Sequence, residues 1–394
     1  MRVIGMISGT SYDAVEAVLA DFEQNRDVLD CDLKARCSVP YPEEVRERIA
    51  AMLPPSSTRI GEVCALDVAI GQFFAEVAVD LAAQVGGEPV QLVCSHGQTV
   101  FHWVSANRAL GTLQLGQPAW IAEKTGASVV SDVRSRDIAA GGHGAPLASV
   151  LDVLLLAPPE GTVRGALNLG GIANVTVLAA GRAPLAFDIG PANALMDAVV
   201  SWLSGGREHF DKDGRRAARG VVEESLLASL LDEPYYRLSP PKSTGKEIFN
   251  LDYVLSALGG RDLDADALVA TLSALSAETV ARSLSDHGVT EVVATGGGTR
   301  NPVLMSALRE RLSGVAFRPL EDFGVPEASK EALVFALIGY LTGSGLVASV
   351  PSCTGARRGS VLGSVTPGER PLRFSAGLVA PSRLVVRGIG QLAE

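Results

Sequence analysis

Ala166-Leu-Asn-Leu-Gly-Gly-Ile-Ala-Asn-Val-Thr-Val-Leu178 is an apolar run, a turn of small residues and a second apolar run, the pattern of two strands joined tightly. The chain opens on the same logic. Val3 to Met6 reads as a strand, Ile7-Ser-Gly-Thr-Ser11 as the turn, and Val15, Val18 and Leu19, before Asp21, as the apolar side of a second strand. A plan used twice predicts two halves built alike. After the first copy, Ile60, Val63, Leu66, Ile70, Phe73, Phe74 and Val77 recur at helical spacing, and Gln91 to Cys94 reads as a buried strand. After the second, Leu185 to Asp188 reads as a strand, and a helix is expected to start near Pro191, whose fixed φ suits a first helical turn. Glu291 to Thr295 is another strand; it runs into Gly296-Gly297-Gly298 before a helix opening at Asn301-Pro302. Strands alternating with helices place the chain in the α/β class.

At 394 residues the chain exceeds one ordinary core, so two domains with a cleft are expected. The boundaries read as 1–130, 131–367 and a tail, 368–394, rich in Pro, Arg and Val and expected to pack on the surface or fray. Lys plus Arg number 34 and Asp plus Glu 44, a net charge of −10. No basic run could neutralise a phosphate backbone, which argues against nucleic acid. Cys31, Cys37, Cys64, Cys94 and Cys353 are scattered and odd in number, which points to a reducing cytoplasm. The apolar start is broken too early, at Ser8-Gly9-Thr10, to read as a secretory signal. Residues 332–356 carry no charge, but Gly339, Gly343, Gly345 and Pro351 interrupt them. A buried helix from about Glu331 to Leu341 followed by a loop is expected there, and no membrane span.

Three Gly-rich turns each follow a predicted strand: Ser8-Gly9-Thr10-Ser11, Gly170-Gly171-Ile172-Ala173-Asn174 and Gly296-Gly297-Gly298-Thr299. Such turns let backbone N–H groups approach a phosphate, and hydroxyls add donors; any one alone is equally a plain tight turn. Ser243-Thr244-Gly245-Lys246 is not a P-loop, because Pro240 stands where the first glycine belongs and Glu247 follows the lysine. Dinucleotide and zinc motifs are missing as well.

Asp188 ends the run Leu185-Ala-Phe-Asp. At the carboxyl end of a strand a partly desolvated carboxylate suits a general base, and an Asp there also suits a turn or an N-cap. Asp13 could hold Mg²⁺ through water or be a simple hairpin residue. His96, in Cys94-Ser-His-Gly-Gln-Thr99, and Ser131-Asp-Val-Arg-Ser-Arg-Asp137 lie at strand exits. His96 reads as a site residue or a structural one; Arg134 is the stronger candidate, because a guanidinium pairs bidentately with a sugar acid's carboxylate. Glu331 favours a helix dipole, and spacing leaves open whether it also faces the cleft.

These residues resemble the anhydro-N-acetylmuramic acid kinase family of bacterial cell-wall recycling. The resemblance runs from Gly5-Met-Ile-Ser-Gly-Thr-Ser-Tyr-Asp13 to Thr354-Gly-Ala356. It includes Ser95-His-Gly-Gln-Thr-Val-Phe-His102, Ala139-Ala-Gly-Gly-His-Gly-Ala-Pro-Leu147, Asn168-Leu-Gly-Gly-Ile-Ala-Asn174, Phe187-Asp-Ile-Gly-Pro-Ala-Asn-Ala-Leu195, Pro240-Pro-Lys-Ser-Thr-Gly-Lys-Glu247 and Lys330-Glu-Ala332. It implies a two-domain fold like those of actin, the Hsp70 ATPase and hexokinase, closing around Mg-ATP and an anhydro sugar. The family's nucleotide stretch falls on Gly9, Thr10, Ser11, Tyr12, Asp13, Ala14, Val15 and Glu16; the other glycine turns add Gly170, Gly171, Asn174, Gly296, Gly297, Gly298 and the following Asn301 as further candidate cofactor contacts. Its catalytic aspartate falls on Asp188 and its sugar-contacting Arg and Glu on Arg134 and Glu331; read from their own positions, His96 is a further candidate substrate contact and Asp13 the candidate metal contact. The family commonly reads Gly-Thr-Ser-Leu-Asp-Gly-Val-Asp where this chain has Tyr12, Ala14 and Glu16, and Gln where His143 stands.

The implied reaction opens the 1,6-anhydro bridge of 1,6-anhydro-N-acetylmuramic acid with water, Asp188 taking the proton, while O6 captures the γ-phosphoryl group of ATP. A homodimer is compatible with the sequence. Three alternatives remain: hexokinase-like transfer to another amino sugar, a nucleotide-driven binding protein of the same fold, and a glycosidase that leaves the phosphate-type turns idle.

Overall fold

β1 (Arg2–Ser8) and β2 (Ala14–Asn25) form an antiparallel hairpin, and β3 (Val28–Pro40) continues it on the far side of β2. β4 (Leu92–Ser105) returns parallel to β1, with β5 (Arg108–Leu115) folded back on its outer half and β6 (Ser128–Ser131) parallel to its inner half. This computed structural model describes residues 1–105, 108–240, 242–245, 247–370, 372 and 378–388. The second hairpin is β7 (Val163–Leu169) with β8 (Ile172–Ala179), extended by antiparallel β9 (Leu185–Pro191). β10 (Glu291–Thr295) and β11 (Ala316–Arg318) add on in parallel beside β7. The strand paths β3-β2-β1-β4-β6 and β9-β8-β7-β10-β11 are therefore one plan used twice, as the two glycine-turn hairpins predict.

Two compact units result: residues 1–155 with 323–394, and residues 156–322. In the first, six of the seven β1 residues are buried, which requires cover on both faces. Ile4 and Met6 pack with Leu66, Ile70 and Phe74 of the Ile60–Val85 helix. The other face carries the Lys330–Gly343 helix, buried along its whole length from Ala332. Gly5 permits that approach: a Cβ there would stand 2.2 Å from the Ala332 carbonyl oxygen and from the Ala336 nitrogen. The uncharged stretch is thus an interior helix, and among the described residues no helix is long and apolar enough to cross a membrane. In the second unit, Leu167, Val175 and Phe187 of the sheet pack with the Ala265–Asp286 helix through Leu272, Leu275 and Val280.

Two sequence readings differ from what is found. The boundary drawn at 130 falls inside the first unit, because Leu92 to Cys94 of β4 pair with Ser128 to Val130 of β6. Pro191 closes β9 opposite Ile172, and the helix starts at Ala194; a φ near −65° serves an extended residue as well as a helical one. Just before the tail, β12 (Ser364–Thr366) joins β6; the tail itself packs on the surface through β13 (Arg383–Arg387), which runs parallel to β3 as an edge strand.

Candidate functional site

Asp188 sits in the middle of β9 and not at its end, at a break in register where Ala173 and Asn174 of β8 face Gly190 and Asp188. An irregularity of that kind re-aims a side chain. The Asp188 Oδ2 accepts from Ser243 Oγ at 2.7 Å and from the Thr244 backbone N–H at 3.0 Å. The strand backbone is held as well: its N–H donates to the Lys242 carbonyl at 3.0 Å, and its carbonyl accepts from Tyr235 Oη at 2.8 Å. Oδ1 has no protein partner among the described residues. Burial pushes the carboxyl pKa up, the hydrogen bonds from Ser243 and Thr244 pull it down, and Glu247 adds to the rise. The net is a carboxylate with one oxygen fixed and the other available to take a proton. Ser243 and Thr244 lie in the stretch that mimics a P-loop, where they clamp Asp188 instead of cradling a phosphate.

The two glycine turns of this unit come together at the ends of β7 and β10, where Asn168 pairs with Thr295. Asn193 Nδ2 donates to the Leu169 and Gly170 carbonyls at 3.0 and 2.7 Å. Gly296 has φ +93°, and a Cβ on it would stand 2.5 Å from Asn168 Oδ1; one on Gly298 would stand 2.8 Å from Leu169 Cβ. Around Gly297 nothing lies within 4 Å of a Cβ position, which leaves backbone that a phosphate-sized group can approach. The Asn301 side chain is spent on the local fold, since its Oδ1 caps the Pro302–Arg311 helix through the Val303 and Leu304 N–H groups at 3.1 and 3.2 Å. Asn174 is the β8 partner of Asp188.

In the first unit the Gly9–Ser11 turn closes by Tyr12 N–H donating to the Gly9 carbonyl at 3.1 Å. Thr10 at its tip is exposed, and Val15 just past it is buried. Gln98, of the Ser-His-Gly-Gln-Thr stretch, props this turn. Its Oε1 accepts from Ser8 Oγ at 2.6 Å and its Nε2 donates to the Gly9 carbonyl at 3.2 Å. Asp13 is exposed, with Oδ1 accepting from Ser11 Oγ at 2.7 Å and from Ala14 N–H at 3.0 Å. Glu16 is pushed up to about 7, by burial first and then by the charges of Glu331 and Asp13. Glu331 is exposed, yet enough protein surrounds its carboxyl that desolvation raises its pKa, against the pull of Lys330 and Arg134. Burial brings Arg134 down to about 10, and Glu331 opposes that fall. Asp13, Glu16, Glu331 and Arg134 therefore form one electrostatic group.

His96 is only 3% exposed. Arg134 Nε donates to its Nε2 at 2.8 Å, its Nδ1 lies 3.0 Å from the Gly97 carbonyl, and its ring lies tilted by 41° against Phe335 with centroids 4.6 Å apart. Arg134 Nη1 donates to the Gly144 carbonyl at 2.6 Å.

A family model described as anhydro-N-acetylmuramic acid kinase matches residues 1–368. Curated relatives of that name include one from Streptomyces coelicolor, 54% identical over 391 residues, 99% of this chain and 100% of the relative. Another, from Rhodococcus erythropolis, is 51% identical over 400 residues, again covering 99% and 100%. The chain belongs to the anhydro-N-acetylmuramic acid kinase family. Among solved structures, a hydroxyisocaproyl-CoA dehydratase activator from Clostridium difficile aligns over 86% of this chain and 94% of its own at 14% identity and a TM-score of 0.41, too distant to add to that assignment.

The departures from the common family pattern fall on the following backbone. Tyr12 adopts a left-handed φ of 44°, whereas Ala14 begins β2 in ordinary extended backbone that needs no glycine. Glu16 stands on β2 opposite Ile7 and Ser38. His143 gives its N–H to the Thr354 carbonyl at 2.9 Å. Sequence reasoning missed Ser243, Thr244, Gln98 and Asn193 as individual residues; all four lie in stretches shared with the anhydro-N-acetylmuramic acid kinases, which is the signal that could have found them.

Proposed function

We propose that this chain is an ATP-dependent kinase acting on 1,6-anhydro-N-acetylmuramic acid, coupling hydrolytic opening of the anhydro bridge to phosphorylation of O6. Asp188 Oδ1 takes a proton from water, whose oxygen bonds to the anomeric carbon. The bond from that carbon to O6 breaks, O6 bonds to the γ-phosphorus, and ADP leaves with the bridging oxygen. The products are N-acetylmuramic acid 6-phosphate and ADP, the chemistry of cell-wall recycling in the cytoplasm. The observation that carries it is the asymmetric clamp on Asp188, which leaves one oxygen bare on a carboxyl whose pKa burial raises.

The residues present fit the nucleotide and its metal. Gly9 to Ser11, and Gly297 with its open backbone, offer N–H groups to phosphate oxygens. No group of three or more His, Cys, Asp or Glu side chains among the described residues makes a metal cage. That agrees with Mg²⁺, which is held by one or two carboxylates, waters and the substrate's own phosphates. Asp13 would be that carboxylate, and the ion would neutralise charge on the transferring phosphoryl group. Arg134 would pair with the lactyl carboxylate, and Glu331 would face the sugar beside it.

Labelled water tests the coupling. In H₂¹⁸O with Mg-ATP and the anhydro sugar, product sampled early carries label at the anomeric oxygen and none at O6. A product-only control corrects for slow anomeric exchange. Early product without label, or phosphorylation confined to a pre-opened sugar, would replace this mechanism with hexokinase-like transfer.

A further inference from the structure

The partners of His96 decide its protonation. The Gly97 carbonyl can only accept, so Nδ1 must carry the hydrogen; Arg134 Nε can only donate, so Nε2 must present its lone pair. The ring is therefore a neutral Nδ1–H imidazole. Desolvation, then the Arg134 charge, lowers its pKa well below the usual histidine range, in keeping with that form. With Nδ1 and Nε2 both engaged and Phe335 against its face, His96 has no group left for a ligand.

Arg134, by contrast, has N–H groups to spare. Nε–H goes to His96 and one Nη1–H to the Gly144 carbonyl. Of five guanidinium hydrogens, the other three have no hydrogen-bond partner among the described residues. The Gly144 anchor is itself fixed: Gly144 N–H donates to Asp137 Oδ2 at 2.9 Å, and Asp137 Oδ1 accepts from Thr354 Oγ1 at 2.8 Å. Asp137 is fully buried.

We propose that His96 is a positioning residue: as the Nδ1–H tautomer it takes the Arg134 Nε–H and, opposite the Gly144 carbonyl, sets the direction in which the remaining guanidinium N–H groups face an acidic substrate. An arginine tethered at two points loses less side-chain freedom on pairing with a carboxylate, so the tether acts on sugar affinity. The proposal rests on the reading of Arg134 as the sugar-acid contact, and the experiment separates the two.

KM for 1,6-anhydro-N-acetylmuramic acid and for ATP is measured in the wild type, His96→Phe, His96→Gln, Arg134→Ala and the double variant His96→Phe/Arg134→Ala. Phenylalanine keeps an aromatic ring against Phe335 and removes the lone pair; glutamine restores an acceptor. His96→Phe should raise the sugar KM about tenfold, the size of one lost charge-assisted hydrogen bond, with the ATP KM and kcat within about twofold. His96→Gln should recover most of the loss, and the double variant should be no worse than Arg134→Ala alone. Additive losses, or a His96→Phe enzyme with an unchanged sugar KM beside an impaired Arg134→Ala, would overturn the positioning role. An unchanged sugar KM in Arg134→Ala would instead sink the reading of Arg134 as the sugar contact. Should His96→Phe not fold, ¹⁵N spectra of the wild type decide the matter, since the chain has only 5 histidines: an Nδ1–H ring with a hydrogen-bonded Nε2 that loses its bond in Arg134→Ala supports the proposal. An Nε2–H or doubly protonated ring refutes it.

Discussion

Replacing Ser243 with alanine removes one of the two hydrogen bonds on Asp188 Oδ2 and leaves the other, from the Thr244 backbone, in place. Hydrogen bonds to a charged group contribute about 1.5–3 kcal/mol. Ser243 is exposed, so water replaces part of its donation and the lower end applies, about 1.5 kcal/mol. The bond favours the ionised carboxyl, so its loss raises the Asp188 pKa further above the usual range, in the direction burial already drives it. A base must be deprotonated to act. On the acid limb of the kcat/KM profile the variant should therefore be slower by about tenfold, since 1.36 kcal/mol is one decade. On the alkaline plateau, where both enzymes are ionised, the rates should converge to within about threefold. The assay is coupled ADP release across the pH range at saturating ATP and limiting anhydro sugar. An acid limb that stays put or moves to lower pH, with the plateau rate intact, would refute the assignment of the Ser243 bond to the ionised base.

Asp188→Asn should lower turnover by at least ~100-fold with ATP binding, read by titration calorimetry, preserved. Because folding raises the Asp188 pKa, its charge is a burden that grows as pH rises through that range, so this variant should melt no lower than wild type at pH 8. Glu16→Gln carries the same sign: with a folded pKa of about 7, wild-type stability falls as pH climbs from the ordinary carboxylate range through 7. The variant's melting temperature should change less over that window, and parallel curves for the two proteins would contradict the raised value. Gly296→Ala, which meets Asn168 and Leu169 at 2.5 and 2.9 Å, should destabilise the second unit by about 1–3 kcal/mol. Gly297→Ala, with open space around it, should leave denaturant stability unchanged and weaken ATP binding.

Much of the architecture was readable because its signals are local. A period of two broken by glycines marks both hairpins, and the run Asn301-Pro302 marks a helix start that the cap geometry bears out. The unit boundary was not readable. Val129 and Val130 look the same whether they open a new sheet or extend an old one, and only their pairing with Val93 and Cys94 decides. The site divides likewise. Asp188 could be singled out from its strand and turn, whereas its clamp lies 55 residues away at Ser243, inside a segment that mimics another motif. His96 is ambiguous by itself, since the meaning of its ring depends on an arginine 38 residues later.

The discontinuity of the first unit has a bearing on biosynthesis. A ribosome delivers β1, β2, β3, β4 and β6 early, but the Lys330–Gly343 helix that covers one face of that sheet is more than 180 residues behind β6. At about 5–20 residues per second, Val3, Cys94 and the bare backbone at Gly5 wait on the order of ten seconds or more for their cover. Residues 156–322, contiguous in the chain, can close in the meantime. The last-made segment thus completes the first-made sheet, so release of a chain cut short before residue 330 would leave an apolar β-surface open to chaperones, proteases or another nascent chain.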